Sequence, residues 1–475
     1  MPTIPTMVPD AASTHEYTHI NSPYDDSVIA SVEIADSNVV EKALHTASQL
    51  FDDRENWLTL SHRISILKNA CSIMEARAES LALQAAQEGG KPLRDSRVEV
   101  ARAIDGINIS IETMRTSTGH MIPMSINPAS ENKTAFTSFE PIGVVVAVSA
   151  FNHPLNLIVH QVVPAIAAGC PVIVKPSRLT PLSCFSFVKI LREAGLPEKW
   201  CQALLPADVD TTQMLVTDTR VSFLSFIGSA KTGWMLRSLL SPGTRCALEH
   251  GGVAPVIIAQ DADMTDAIPK LAKGGFYHAG QVCVSVQKVF VHASQSKKFL
   301  DALSAATTKL IVGDPMLEET DIGPIISNGE VDRIDQWVKD AVSQGATLIC
   351  GGEKISSSCY ECTILFNPAE SSTVSENEIF GPVVCVYEYE NIDEAISRAN
   401  RLPYAFQASV FTSNINTAMS CAKSLKASSV MINDHTAFRV DWMPFAGLNQ
   451  SGLGVGGIPH TIKDMQVEKM LVINS

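Results

Sequence analysis

The residues with the most chemical potential sit where apolar runs end. In Phe276-Tyr277-His278-Ala279-Gly280-Gln281-Val282-Cys283-Val284-Ser285, a single thiol is crowded by a glycine, an amide and small residues. A cysteine is a nucleophile only as its thiolate, so a reactive Cys283 needs a base or positive potential beside it. Glu249, in Cys246-Ala247-Leu248-Glu249-His250-Gly251-Gly252, is the only acid between Asp218 and Asp261. A carboxylate that ends an apolar strand before two glycines suits a general base. By themselves the two residues read equally as an inert buried thiol, one of eleven cysteines, and a hydrogen-bonded strand-end carboxylate. A third stretch, Phe226-Ile227-Gly228-Ser229-Ala230-Lys231-Thr232-Gly233, follows a strand-like run and precedes a helical one from Trp234. Glycine permits close backbone approach there, and free N–H groups at a helix start suit a phosphate. The pattern is neither GxGxxG nor a P-loop, so an ordinary strand-to-helix turn fits it as well.

The elements that must position these groups are organised around residues 140–183. Val144-Val145-Val146-Ala147-Val148 predicts a strand buried on both faces. Residues 149–154 interrupt it with Asn152 and His153; a helical run over 156–168 follows, with Gly169 as its stop. Pro171-Val172-Ile173-Val174 is a second strand, ended by Lys175-Pro176-Ser177-Arg178. This βαβ unit predicts a parallel sheet whose strand ends carry ligands. Upstream, helices are expected over 36–51, 61–88 and 97–114, after a loose lead over 1–15. Glu99, Arg102 and Asp105 share a face of the third helix. Strand–helix alternation from 140 to 252 and again from 253 to 433 predicts an α/β class with two doubly wound domains. Residues 118–139 and 467–474 read as strands outside them.

At 475 residues the chain needs about two or three domains. A net charge of −14 argues against a general nucleic-acid or membrane-surface binder, though not against a local basic pocket. The cysteines are spread singly, as in a reducing cytosol, so a cytoplasmic location is expected. Cys359 and Cys362 form a lone CxxC with no second pair, so no metal site is expected. No signal peptide or membrane span is expected either; the longest apolar stretch, 153–174, is broken by three prolines.

Taken together, Asn152 in AFNHP, Lys175 in KPS, GSAKTG, Glu249 in EHGG, Cys283 in GQVC, Glu378-Ile379-Phe380-Gly381-Pro382 and Pro444-Phe445-Ala446-Gly447 resemble the aldehyde dehydrogenase superfamily in order and spacing. The resemblance runs from about residue 36 to the end. It implies a cofactor-binding domain over 1–117 and 140–250, a catalytic domain over 251–440, and oligomerisation strands over 118–139 and 455–475. It implies Cys283 as nucleophile, Asn152 as oxyanion donor and Glu249 as the base for hydrolysis. Cofactor contacts are implied at Ala150, Phe151, Lys175, Ser177, Arg178, Gly228, Ser229, Thr232, Glu378 and Phe380. Where many NAD-preferring members carry Glu three residues after the lysine, this chain has Arg178, so NAD(P)+ is expected with NADP+ favoured. The usual PFGG motif departs from pattern at Ala446 and Asn449.

Substrate contacts are expected from Arg102, His153, Asn156, His160 and Arg439. Asn156 and His160 follow Asn152 at i+4 and i+8, and the two arginines fall by resemblance on the same tunnel. Such a set suits a short aldehyde with an anionic tail, unless the arginines pair internally, Arg102 with Glu99 or Asp105 and Arg439 with Asp441. The sequence further resembles the branch of phosphonoacetaldehyde, lactaldehyde and glyceraldehyde-phosphate-type dehydrogenases. Phosphonoacetaldehyde is the leading expectation, with succinate semialdehyde, sulfoacetaldehyde and lactaldehyde as alternatives. A CoA-acylating enzyme and a catalytically silent structural relative are the competing classes. A homodimer or homotetramer is expected.

Overall fold

The computed structural model describes residues 2–474, so the first position of the 1–117 stretch and the last of 455–475 lie outside the described residues. Two parallel sheets dominate. The first has six strands in the order Gly452–Leu453, Arg245–Glu249, Val221–Ile227, Val144–Val148, Val172–Lys175, Cys201–Ala203. Its five inner and distal strands run parallel, and Gly452–Leu453 closes one edge antiparallel. Strand alternation divides its side chains between two cores: Val145 and Ala147 on one face, Val144, Val146 and Val148 on the other. That two-sided burial is why the strand reads as an unbroken apolar run.

The second sheet has seven strands, Thr347–Cys350, Thr363–Phe366, Val383–Tyr389, Lys288–His292, Val256–Ile258, Gln407–Phe411 and Ser429–Ile432, with its own core. All pairings but the first are parallel. A three-stranded antiparallel arm joins Gln466–Asn474, Lys133–Pro141 and Met121–Ile122. The fold is thus the expected α/β class with two doubly wound sheets and a β arm.

Several local expectations change. The 61–88 helix is two helices, Leu60–Ala76 and Ala78–Gly89, because Arg77 leaves helical geometry at φ −114° while its guanidinium is held 2.6 Å from Glu193. The lead is partly ordered: Thr3–Ile4 pairs with Val28–Ala35. Among the described residues of 455–475 only Gln466–Asn474 is strand; Ile458–Asp464 is a helix packed on the Asn156–Ala168 and Leu93–Thr116 helices. The helix after the glycine loop begins at Ala230, four residues before Trp234, because Ser229 caps it.

Two buried glutamates fix the helices that flank the site. Glu88 accepts from the backbone N–H of Leu182 (2.7 Å) and Ser183 (2.8 Å) at the start of the Leu182–Glu193 helix. Glu99 accepts from Leu155 (2.9 Å) and Asn156 (3.0 Å) at the start of Asn156–Ala168, and is ion-paired with buried Lys91. Neither helix has a capping side chain of its own, so remote carboxylates satisfy their free N–H groups. Burial still holds Glu88 high, at about 7, against the hydrogen bonds that lower it.

Candidate active site

One cavity of about 1010 Å³ is lined on one side by strand ends and loops of the first sheet and on the other by turns and loops around the second. Cys283 reaches it from a turn rather than from a strand; the next strand starts only at Lys288. His278, Ala279 and Gly280 precede it with φ of 50°, 54° and 69°, a tight left-handed run. A Cβ at Gly280 would overlap the Gly381 carbonyl, so this position requires glycine. Gln281 then locks the turn: its amide donates to the His278 and Pro324 carbonyls (3.2 Å each) and accepts from Ile326 N–H at 2.9 Å. Val284, Phe406 and Phe445 pack behind the thiol.

Asn152 approaches from the first sheet. Its Nδ2 donates to the Gln281 carbonyl at 2.9 Å, which fixes the amide beside the cysteine turn. Burial pushes the Cys283 thiol up to about 12, with Arg439 opposing and Glu378 and Glu249 reinforcing the rise. Burial also raises Glu249, again opposed by Arg439. Gly456 lies against Glu249; a Cβ there would overlap its carboxylate. The centre therefore holds a neutral thiol, a carboxylate made more basic by burial, and one buried cation near both.

At one end of the cavity the residues suit a dinucleotide. Lys175 and Arg178 both line it, and neither forms an ion pair among the described residues. Arg178 is instead anchored by Nη2 on the carbonyls of Pro206 (2.7 Å) and Ala207. Burial, then the Arg178 charge, lowers Lys175 to about 8. Two cations on one stretch of wall, with Asp208 near Arg178 as the acid beside them, favour an anion there. The Ser229 cap opens the Ala230–Leu239 helix onto the same wall, and a Cβ at Gly228 would overlap the Phe226 ring. Gly228, Ser229 and Thr232 line the wall, as do Ala150, Phe151 and Ser177. Phe151 and Phe380 meet edge-to-face at 5.8 Å, and Glu378 accepts from Gly252 N–H at 3.2 Å with its carboxyl pushed up to about 8 by burial. These groups fit a nicotinamide dinucleotide: cations and helix N–H groups for phosphates, aromatic edges for a ring.

At the other end, Arg102, His153, Asn156 and Arg439 line the cavity, together with Asp95, Lys273 and Tyr277, which sequence reasoning did not single out. His160 does not line it; it sits behind the wall, its Nε2 donating to Asp441 at 2.8 Å. Of the internal pairings considered for Arg102, neither Glu99 nor Asp105 takes it. Asp441 does, at 2.6 and 3.1 Å. Arg439 is stacked on Phe445, its guanidinium 3.5 Å from the ring centroid. Burial holds His153 well below its ordinary imidazole range, so it is neutral. No cluster suited to a metal ion occurs among the described residues.

Residues 10–471 match the family model described as the aldehyde dehydrogenase family. The chain is 36% identical to a 3-sulfolactaldehyde dehydrogenase of Priestia aryabhattai over 97% of this chain and 96% of the relative. Aldehyde dehydrogenase 21 from Physcomitrella patens, solved in complex with the reaction product succinate, superposes with a TM-score of 0.95 at 31% identity, covering 100% of this chain and 98% of that one. A glyceraldehyde-3-phosphate dehydrogenase from Methanocaldococcus jannaschii complexed with NADP gives 0.93 at 32%, covering 97% and 100%. The chain belongs to the aldehyde dehydrogenase family and is an NAD(P)-dependent aldehyde dehydrogenase.

Proposed function

We propose that the protein oxidises a short aldehyde with an anionic tail to its carboxylic acid. The observation that carries this reading is the convergence of Arg102 and Arg439 on one end of a cavity whose middle holds Cys283 and Glu249. Cys283 Sγ attacks the aldehyde carbon to give a thiohemiacetal, and the second N–H of the Asn152 amide together with the Cys283 backbone N–H holds the oxyanion. The resting thiol is neutral, so its proton must leave as it attacks; Glu249 is the nearby acceptor and Arg439 favours the thiolate. A bound nicotinamide dinucleotide supplies the hydride acceptor that leaves a thioester on Cys283. Glu249 then takes a proton from the water that releases the acid. A base kept in this position supports hydrolysis over transfer to CoA.

The tail is a phosphonate, sulfonate or carboxylate. Phosphonoacetaldehyde, sulfoaldehydes and succinate semialdehyde are the candidates, and the sulfolactaldehyde relative and the succinate-bound neighbour support the last two. NADP+ is accepted, supported by paired Lys175 and Arg178 and by the NADP-bound neighbour. The eleven unpaired cysteines support a cytoplasmic location. Met470, Leu471, Val472 and Ile473 are exposed on the arm strand, a patch that a second copy of this chain would cover, giving a dimer or a dimer of dimers. The test is an aldehyde panel run with both cofactors. Anionic aldehydes should exceed propanal in kcat/KM by about a hundredfold; equal values would overturn the reading.

A further inference from the structure

The tail end of the cavity holds more charge than it offers. Arg102 is 28% exposed at the wall, yet its Nε and one Nη are bound bidentately by Asp441, itself only 3% exposed. Asp441 Oδ1 also accepts from His160 Nε2 at 2.8 Å. With Nε2 carrying the proton, His160 Nδ1 is an acceptor, and Arg439 Nη2 lies 3.4 Å from it. That arrangement is complete only for a neutral imidazole. Arg439 Nε is 4.0 Å from Asp441 Oδ1, beyond hydrogen-bond reach, and is buried without a hydrogen-bond partner. Asp441 thus neutralises Arg102 and orders His160, while Arg439, the second cation, lies 4.0 Å from that carboxylate and faces Glu249 of the reacting centre.

We infer that Asp441 is a positioning residue that sets the tail site's net charge at one positive unit, so that the site selects a monoanionic tail, sulfonate or carboxylate, over a dianionic phosphonate. The inference rests on the anionic-tail reading above. The count is that of the cluster itself, two guanidinium groups on one carboxylate. Asp95 and Lys273 both line this end and offset each other. Glu249 belongs to the reacting centre beside Cys283, where burial raises its pKa and Arg439 opposes the rise. Asp105 is exposed to solvent and does not line the cavity. Tyr277 is neutral, its phenol raised far above its ordinary range by burial. A second formal charge on the ligand would therefore enter a buried site with no cation left to meet it.

The test uses propanal as a neutral substrate, with methanesulfonate and methylphosphonate as competing tail mimics. In the unaltered enzyme, methanesulfonate should compete better than methylphosphonate at pH 8. The Ki of methylphosphonate should weaken as pH rises through its second ionisation, relative to methanesulfonate measured alongside, which corrects for titration of Glu378. In Asp441→Asn the ratio of the two constants should move towards methylphosphonate by about tenfold, the expected order for one added unit of charge at this range. Equal changes for both mimics in the variant would make Asp441 merely structural, and tighter methylphosphonate binding at high pH in the unaltered enzyme would overturn the inference without any variant. If neither anion competes with propanal, the anionic-tail reading fails instead.

Discussion

The two ends of the cavity are both cationic, and they are built on opposite plans. At the dinucleotide end, Lys175 and Arg178 come from the end of one strand and carry no ion pair, while Ser229 presents backbone N–H groups from a single loop. At the tail end, Arg102, His160, Arg439 and Asp441 come from three separate segments and are bonded to one another before any ligand arrives. The first plan keeps charge available for a polyanion of fixed shape. The second fixes geometry and removes charge, which favours discrimination between similar small tails.

The most severe way to probe the contrast is to remove the centre that joins the ends. Cys283→Ala should lower dehydrogenase turnover by at least about a thousandfold, while NADPH binding, read by fluorescence, and methanesulfonate binding both persist. Retained turnover would sink the nucleophile assignment. Glu249→Gln should be milder, slowing release of the acid by about a hundredfold or more. Because hydrolysis is the step slowed most, pre-steady-state mixing should show a burst of NAD(P)H that is faster than the turnover that follows it. A variant with no burst would place Glu249 before the thioester.

Arg439→Met breaks the tail end and leaves the dinucleotide end intact. It should lower kcat/KM for succinate semialdehyde by about a hundredfold relative to propanal, with little change in KM for the dinucleotide. It also carries a pH signature. Arg439 favours the ionised forms of both Glu249 and Cys283. Removing its charge must raise both pKa values further, so the ascending limb of the rate–pH profile should move to higher pH. An unmoved limb would show that Arg439 acts on the substrate tail only.

This difference in plan also decides what was legible in the chain. The strand Val144–Val148 and the cations after Val174 could be read because each depends on neighbours a few residues away, whereas the equally local Ser229 cap was missed and the helix start set at Trp234 instead of Ala230. Local reasoning failed where partners are distant. Arg102 and Asp441 are 339 positions apart, so the near neighbours Glu99 and Asp105 were the natural candidates. Asp441 was visible two residues from Arg439, but the shorter contacts go to Arg102 and His160. Helical spacing placed His160 on the face that starts at Asn152, yet a face does not say which residues reach open space; the Asp441 bond keeps His160 behind the wall. Glu99 carried a signal, an acid between Val98 and Val100, but the helix start it serves begins 56 positions later at Leu155.

The smallest effect is expected at the dinucleotide end. Arg178 is exposed and already held by two carbonyls, so its guanidinium is ordered without a ligand and loses little entropy on meeting one. Exposure weakens any ion pair it forms with a 2′-phosphate. Lys175, more deeply placed, remains largely protonated at neutral pH and supplies charge beside it. Arg178→Ala should therefore lower kcat/KM for NADP+ by only about fivefold to tenfold and leave NAD+ nearly unchanged. The effect should shrink as salt is raised, because an exposed pair is screened. The preference for succinate semialdehyde over propanal should stay as it was, since no side chain of the tail cluster touches this end. Equal losses for NAD+ and NADP+ would mean that Arg178 braces the Leu205–Pro206 strand rather than reading the phosphate.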